Sequence, residues 1–526
     1  MATRSKHTTT LTKRSPRLSG TFRQVVADMA PGALQWKPEP YMLEAVGFLL
    51  EQACAGLFLD PGLRKTSITL AAIKVLKKEG LMRSALVVAP LRVCYSVWPK
   101  EAKKWKDFAG LRVEVLHGPK KEEAASREAD IYVINPEGLE WLFGVTKTTR
   151  VTRAGSKRKD FSYDLARFKA MDCDLLVVDE VSKFKNYASD RLQMMKPLLG
   201  LFARRWGLTG SPASNGLMGL FGIMYMIDQG KALGQYITHY RNAFFMPQGY
   251  GGYSYVLRPG AEERIYAAIA PYVFRLKAED YIKLPELVVN KIEVELPPEA
   301  RRIYDELEDD FITLFGDEAV MAANTGAALT KCRQVANGGI YLTPEVDEKG
   351  RKASKREWRH LHTAKVEAVQ DVLEELGGSP AIVTYDFAHD LERLLKGLGK
   401  DSAVIGQGTA REDDKLIERW NRGELPWLIT QLSAMSHGIN AQEGNAQHIV
   451  MPALTYDFEV LDQLVRRLRR SGNTAKHVFL HLIVAKDTVD EAMWAATTRK
   501  DGTQGAFLDA MGEYTRQRAA SKKKRR

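Results

Sequence analysis

A short segment near the amino-terminal end of the chain combines residue types that suit phosphate binding. The stretch GLFLDPGLRKTSITL, from Gly56 to Leu70, has an apolar run, an Asp-Pro-Gly turn and a Lys65-Thr66 pair that opens a helical pattern. Backbone N–H groups at a helix N-terminus can surround phosphates, a lysine adds a point charge and a threonine hydroxyl can bind magnesium. We therefore predict a nucleotide-binding turn, with Lys65 also catalytic and Thr66 also a metal ligand. Its contacting residues are Asp60, Gly62, Leu63, Arg64, Lys65, Thr66 and Ser67.

One residue of this turn departs from the usual pattern, which has glycine just before the lysine. Here that position is Arg64. A residue with a Cβ atom in a strained backbone conformation costs about 1–3 kcal/mol. The guanidinium could offset part of this cost by pairing with a phosphate. Arg64 therefore puts efficient catalysis in question.

A pair of carboxylates follows a second apolar run. In LLVVDEVSKFKN, from Leu175 to Asn186, a buried strand would end at Asp179 and Glu180. Phosphate-loop hydrolases use one carboxylate to hold magnesium and another to orient or deprotonate the attacking water. We assign Asp179 to Mg²⁺ and Glu180 to the water. The alternative, a solvent-facing acidic pair, is less favoured after a buried strand that lies downstream of a Lys-Thr turn.

Other polar segments also follow strands or lie on helices. Thr209 and Ser211 occupy a Gly-Pro turn in WGLTGSPASNG, where their hydroxyls could relay the nucleotide state, although an ordinary turn would look the same. In DQLVRRLRRSGN, Arg467 and Arg470 share one helical face and could stabilise charge on a transferring phosphoryl group. The alternative for this segment is a solvated basic helix.

Composition narrows the class of protein. Of 526 residues 45% are hydrophobic, which is enough for globular cores, and we find no apolar run long enough to span a membrane. The four cysteines form no CxxC pair, and no secretory signal is evident, so we expect a cytoplasmic protein. The net charge of +12 is concentrated in the segments 1–24, 147–159 and 515–526. Such tracts are either solvated and mobile or grip phosphate backbones without base contacts.

Apolar runs alternate with helical patterns along most of the chain, which favours an α/β fold with parallel sheets covered on both faces. The pattern loosens around 230–285, and a charged linker precedes a second α/β set. We predict a flexible basic arm, a first lobe, an insertion or connector, a helical connector with a linker, a second lobe and a basic tail. The predicted boundaries are 1–36, 37–230, 231–285, 286–355, 356–500 and 501–526.

Taken together, the motifs resemble those of superfamily-two helicase-like ATPases, specifically the SWI/SNF-type branch in a compact bacteriophage or bacterial form. The first lobe has LDPGLRKT, VVAPLRVCYSVWPKEAKKW, VLHG, INPEGL, VVDEVSKFKN and LTGSPASN. The second has AIVTYDFAHDLERL, SHGINAQ, QLVRRLRRSGN and LIVAKDTVDEAM, in the order of that family. The resemblance extends from about residue 38 to residue 497.

The resemblance implies two RecA-like P-loop lobes that bind ATP and Mg²⁺ between them and move along double-stranded DNA. It implies that Arg467 and Arg470 enter the site from the second lobe. The residues that would couple ATP state to DNA grip are Thr209, Ser211, Gly438, Asn440 and Gln463. The residues that would contact nucleic acid are Arg92, Lys147, Arg150, Arg153, Lys157, Arg158 and Lys159. If the chain is of phage origin, its compartment would be the host cytoplasm.

Two further departures from the family pattern accompany Arg64. Met42 stands where a glutamine usually reads adenine, and Val181-Ser182 replace the usual pair that ends in a coupling histidine. Two alternatives to a duplex translocase therefore stay open. One is a DNA-binding scaffold with impaired ATP hydrolysis, and the other is a helicase that separates strands of DNA or RNA.

Overall fold

The chain folds into two α/β lobes, each built on a parallel sheet, in a computed structural model of the protein. It describes residues 36–108, 110–151, 157–210, 212, 216–248, 254–276, 284–316, 322–342, 356–399, 402–432, 446–455, 457–469, 473, 475–498, 513–514 and 517–518. Within these residues no helix is long and apolar enough to cross a membrane.

The sheet of the first lobe has seven parallel strands. Its members are β1 (Cys54–Leu59), β2 (Ser84–Val88), β3 (Val113–Val115), β4 (Ile131–Ile134), β7 (Cys173–Asp179), β8 (Arg204–Thr209) and β11 (Val273–Leu276). They lie side by side in the order β11-β1-β8-β7-β2-β4-β3. All carboxyl ends therefore lie at one edge of the sheet, where such folds place their ligands.

The apolar character of these strands follows from burial on both faces. Ala55, Leu57 and Leu59 of β1 belong to one core, while Cys54 and Phe58 belong to the core on the opposite face. The helices of this lobe are α1 (Pro40–Glu51), α2 (Lys65–Lys78), α3 (Leu91–Ser96), α4 (Trp98–Lys104), α5 (Lys121–Ser126), α6 (Leu139–Leu142), α7 (Ala166–Ala170), α8 (Asp190–Met195), α9 (Leu220–Asp228), α10 (Ile237–Phe244) and α11 (Ala261–Ile269). A sheet covered on both faces requires apolar side chains at successive positions, as found here.

The sheet of the second lobe has six parallel strands in the order β12-β19-β18-β15-β17-β16. These strands are β12 (Glu286–Val294), β15 (Ala381–Tyr385), β16 (Ala403–Ile405), β17 (Trp427–Gln431), β18 (His448–Met451) and β19 (His477–Ala485). The helices are α12 (Pro298–Gly316), α13 (Ala322–Asn337), α14 (Ala364–Glu375), α15 (Ala388–Leu398), α16 (Ala410–Asn421), α17 (Phe458–Leu468) and α18 (Val489–Thr498). The predicted α/β class is thereby confirmed for both lobes.

In the described part of the chain, three antiparallel hairpins accompany the two sheets. They pair β5 (Thr146–Val151) with β6 (Lys157–Ser162), β9 (Phe245–Gln248) with β10 (Ser254–Leu257), and β13 (Gly339–Tyr341) with β14 (Trp358–His360). The segment 147–159, predicted as a basic loop, is therefore mostly strand. The first strand contains Thr146, Thr148, Thr149 and Val151, and such β-branched residues favour a pleated ribbon.

The sheets extend across the predicted domain boundaries. The segment 231–285 contributes β11 to the edge of the first sheet, beside β1. The segment 286–355 begins with β12, which forms the edge of the second sheet beside β19. A connector in sequence thus supplies an edge strand to each lobe.

Candidate functional site

The turn between β1 and α2 has the backbone geometry of a phosphate-binding loop. Gly62 has φ +95° and α2 begins at Lys65. The Lys65 ammonium donates to the Leu59 carbonyl oxygen at 2.7 Å, which holds it against the end of β1. Leu63 is fully buried and anchors the turn in the core. Thr66 and Ser67 follow in the first turn of α2, and the Ser67 hydroxyl donates to the Arg64 carbonyl oxygen at 3.1 Å.

Arg64 adopts the left-handed conformation that glycine normally supplies at this point. Its φ is +48° and its ψ is +40°, and it is the residue immediately before α2. The left-handed region costs a residue with a Cβ atom roughly 1–2 kcal/mol relative to right-handed conformations. The turn therefore keeps its shape despite the arginine, and the strain expected from the sequence is present.

Asp179 ends β7 and lies at the same sheet edge as the phosphate-binding turn, separated from β1 only by β8. The Trp98 indole N–H donates to its Oδ2 at 3.0 Å. Burial raises the pKa of Asp179 to about 6; the Trp98 hydrogen bond and the charge of Lys65 act in the opposite direction, and Glu180 adds to the rise. A carboxylate in this setting gains strongly from a nearby cation.

Glu180 is held by two hydroxyl groups. It has φ +61°, so the chain turns sharply after β7. Its Oε1 accepts hydrogen bonds from Ser182 Oγ at 2.7 Å and from Thr209 Oγ1 at 2.9 Å. Thr209 ends β8, the strand between β1 and β7. Thr209, predicted to relay the nucleotide state, therefore contacts Glu180 directly, and Ser182 contributes a contact that the sequence did not indicate.

A helix of the second lobe reaches the phosphate-binding turn. Arg466 of α17 lies 3.1 Å from Asp60 Oδ2 and also contacts Asp462 one turn earlier at 2.8 Å. The predicted residues Gln463 and Arg467 lie on the same helix and are partly buried. Arg466 was not among the predicted residues, because four arginines between positions 466 and 470 do not reveal which one faces the cleft.

A family model for the SNF2-related domain matches residues 40–340, more than half of the chain. The chain belongs to the SNF2-related family. The resemblance found in the motifs is thereby confirmed, and the two-lobed α/β fold of this SNF2-related chain is the one the motifs implied.

Several known proteins are similar to this SNF2-related chain. Protein p41 of Acyrthosiphon pisum secondary endosymbiont phage 1 is 29% identical over 490 residues, covering 90% of this chain and 98% of p41. The DNA annealing helicase and endonuclease ZRANB3 of Mus musculus is 22% identical over 497 residues, covering 92% of this chain and 42% of its own length. The solved Sulfolobus solfataricus SWI2/SNF2 ATPase core in complex with dsDNA is 20% identical, with a TM-score of 0.40, and the match covers 92% of this chain and 95% of the solved chain. The chain thus spans nearly all of the phage protein and less than half of the mouse protein.

The residues gathered at the sheet edge fit a nucleotide with Mg²⁺. An ammonium, a helix N-terminus, a threonine hydroxyl and two carboxylates form the set of groups that such a ligand requires. Lys65 and the turn would hold the phosphates, and Thr66 with Asp179 would hold the metal ion. A bound Mg²⁺ would supply positive charge against the phosphate oxygens.

Met42 does not present a polar group toward a base. Its side chain is fully buried in the core of the first lobe, and its Sδ accepts a hydrogen bond from the Glu39 backbone N–H at 3.4 Å. A thioether is a weak acceptor and has no donor. The paired hydrogen bonds of a glutamine amide to adenine therefore have no counterpart at position 42.

Arg92 lies at the interface between the lobes. Its guanidinium contacts Asp413 at 3.3 Å and Asp414 at 3.5 Å, and Lys100 contacts Asp414 at 3.4 Å. Asp413 lies in the first turn of α16 and Asp414 directly follows it; Thr409 caps this helix by accepting a hydrogen bond from the Glu412 backbone N–H at 3.4 Å. The sequence predicted nucleic-acid contact for Arg92 and gave no sign of its partners across the cleft.

The basic hairpin formed by β5 and β6 is exposed, and its described cations have acidic neighbours. Lys147 contacts Glu140, Arg150 lies 3.8 Å from Asp160, and Lys159 contacts Asp190. For Lys157 and Arg158 the structure describes the backbone alone. The remaining predicted residues lie outside the described part of the chain: Arg153, Ser211, Gly438, Asn440 and Arg470.

Proposed function

We propose that this SNF2-related chain is a DNA-stimulated ATPase of the SWI/SNF type that couples ATP hydrolysis to movement along double-stranded DNA. The observation that carries the proposal is the meeting of Lys65, Asp179 and Glu180 at one sheet edge, with Arg466 of the second lobe against the same turn. Nucleotide binding at this place would depend on how the two lobes are arranged.

In the proposed reaction Glu180 orients and deprotonates the attacking water. Ser182 and Thr209 both donate to its Oε1, which leaves Oε2 as the atom for the water. Holding a general base in one orientation lowers the cost of reaching the reactive geometry. Lys65 and the N-terminus of α2 would bind the phosphates, and Arg467 and Arg470 would stabilise the charge that develops during transfer.

The proposed DNA partner rests on charge and on the relatives. The hairpin carries six basic residues between positions 147 and 159, and ZRANB3 is named a DNA annealing helicase. Cations on an exposed ribbon bind phosphate backbones with little sequence preference. Gly438, Asn440 and Gln463 are proposed to couple the nucleotide state to this grip, and the cytoplasm is the proposed compartment.

The proposal is tested by ATPase assays without nucleic acid and with single-stranded DNA, duplex DNA or RNA. Duplex DNA should give the largest stimulation, and Glu180→Gln should abolish turnover while ATP still binds. Displacement of a third strand from a triplex, without separation of the underlying duplex, would support translocation. Absence of turnover in the wild type under every condition would reject it.

A DNA-binding scaffold with impaired hydrolysis is the second candidate, favoured by the left-handed Arg64 and by the buried Met42. In that case ATP would bind weakly or without adenine preference, and duplex DNA would bind without stimulating turnover. Measuring ATP and GTP affinities beside the ATPase rates separates the two candidates. Micromolar ATP binding with DNA-stimulated turnover would reject the scaffold.

A further inference from the structure

Trp98 is a buried side chain that reaches the candidate metal ligand from α4, and it is not among the residues assigned to the nucleotide site. It is the first residue of α4, is fully buried in the first-lobe core and lies 81 positions before Asp179 in the sequence. Its indole N–H donates to Asp179 Oδ2 at 3.0 Å. This hydrogen bond fixes Oδ2 of the carboxylate, which also accepts a hydrogen bond from the Glu180 backbone N–H.

The chemical nature of the donor matters here. An indole N–H only donates, and it carries no charge. It therefore orients the carboxylate without neutralising it and does not compete with a cation for the second oxygen. Groups of this kind behind a metal ligand hold its orientation, and their loss weakens metal binding about 10- to 100-fold.

The helices around Trp98 also contact the second lobe. Arg92 on α3 and Lys100 on α4 reach Asp413 and Asp414 of α16. Since Trp98 is the first residue of α4 and its indole reaches the end of β7, a shift of α4 relative to the sheet would move the indole N–H relative to Asp179.

We propose that Trp98 is a positioning residue for Asp179, which sets the carboxylate for Mg²⁺ and makes metal-dependent nucleotide binding sensitive to the position of α3 and α4. This inference rests on the proposed ATPase function. It assigns a role to a side chain that touches neither nucleotide nor metal.

The test compares Trp98→Phe with Trp105→Phe in the full chain. Trp105 is a matched control, because it directly follows α4 and its indole N–H donates at 2.8 Å to the carboxylate of Glu101 on that helix and not to Asp179. Affinity for a fluorescent ATP analogue is measured with Mg²⁺ and with EDTA. Trp98→Phe should weaken binding about tenfold with Mg²⁺ and leave binding in EDTA within about twofold, while Trp105→Phe should change neither.

Two results would overturn the positioning role alone, provided that the wild type binds ATP with Mg²⁺. In one, Trp98→Phe weakens binding of the analogue equally with Mg²⁺ and with EDTA. In the other, Trp98→Phe binds the analogue as tightly as the wild type does. A wild type without Mg²⁺-dependent ATP binding would overturn the proposed function as well.

A second measurement does not need Trp98→Phe to fold. In protein labelled with ¹⁵N at its tryptophans, Asp179→Ala should shift one indole N–H resonance, and ATP with Mg²⁺ should shift the same resonance in the wild type. If no indole resonance responds to Asp179→Ala, the hydrogen bond is absent in solution and the inference fails.

Discussion

The guanidinium of Arg466 lies 3.1 Å from the carboxylate of Asp60, and this contact joins a helix of the second lobe to the phosphate-binding turn of the first. Both side chains are partly exposed, so the pair is worth on the order of 1 kcal/mol or less. Its value is geometric, because it holds α17 beside the turn at the place where phosphates would enter.

Adjacent residues on a helix point about 100° apart, so Arg466 and Arg467 cannot both face the turn in one arrangement of the lobes. We expect Arg467→Ala to lower kcat by about 10³-fold with little change in ATP affinity, as for an arginine that acts on the transferring group. Arg466→Ala should lower kcat less than about tenfold and increase the radius of gyration measured by X-ray scattering without nucleotide. Reversal of these two results would make Arg466 the catalytic arginine.

Two substitutions of Arg64 separate the effect of its strained backbone from the effect of its guanidinium charge. Arg64→Gly relieves the left-handed conformation and should stabilise the protein by about 1 kcal/mol relative to Arg64→Ala, which keeps the strain but removes the guanidinium. We also expect Arg64→Gly to raise ATP affinity or turnover above the wild type. Urea unfolding and nucleotide titration of both variants check this. Lower activity in both variants would mean that the turn has adapted to the guanidinium.

If the basic hairpin contacts DNA phosphates, its contribution should be visible in the salt dependence of DNA affinity. Each lost phosphate contact lowers the slope of log K against log salt by about 0.9, so Lys147→Ala/Arg150→Ala/Lys159→Ala should lower it by about 2 to 3. The control Arg112→Ala/Arg127→Ala removes two exposed cations beside β3, at the edge of the seven-stranded sheet. An unchanged slope in the triple variant would exclude the hairpin from the DNA interface.

Two histidines of the second lobe should make its stability fall in mild acid. Burial lowers the pKa of His362 and of His448 to about 4, helped at His362 by the charges of Arg393 and Lys365 and at His448 by His481. Because the unfolded chain takes up these protons near pH ~6.5, stability is present above that value and is lost as the pH falls toward about 4.

The expected loss near pH ~5.5 is on the order of 1 kcal/mol per histidine. The measurement is the urea midpoint of the wild type and of His362→Phe/His448→Phe near pH ~7.5 and ~5.5. Between these two pH values the urea midpoint of the double variant should change less than that of the wild type, whatever the absolute stability of the variant. An equal change in both proteins would assign the acid sensitivity to other groups.

The sequence predicted the parts of the site that depend on local patterns. Lys65 follows a glycine turn after one strand, and Asp179 ends another strand that is predicted by a continuous apolar run. Because these strands are parallel, their carboxyl ends bring both residues to one edge of the sheet. The same reasoning identified Thr209, whose contact with Glu180 is made between neighbouring strands. These positions follow from short-range periodicity and from the shared direction of parallel strands.

The parts that were missed depend on contacts between distant segments. Trp98 and Asp179 are 81 residues apart, and Arg92 and Asp413 are 321 apart, so no local period links them. His362 follows a charged stretch of the sequence, yet it is buried and shares a hydrogen bond with the Val335 carbonyl oxygen at 2.9 Å. From the sequence alone, Ser182 indicates only that the family's coupling histidine is absent. The hydrogen bond from its hydroxyl to Glu180 is visible only in the structure.

The contact of Arg92 with Asp413 and Asp414 has a thermodynamic consequence. The two carboxylates offer the arginine the same kind of anion that a DNA backbone would offer. A duplex that reached Arg92 would therefore replace one anion with another, and the net gain in affinity from this residue would be small. The duplex and the two aspartates would instead compete for the same arginine. DNA binding at Arg92 and separation of the lobes at this contact would therefore be coupled in one equilibrium.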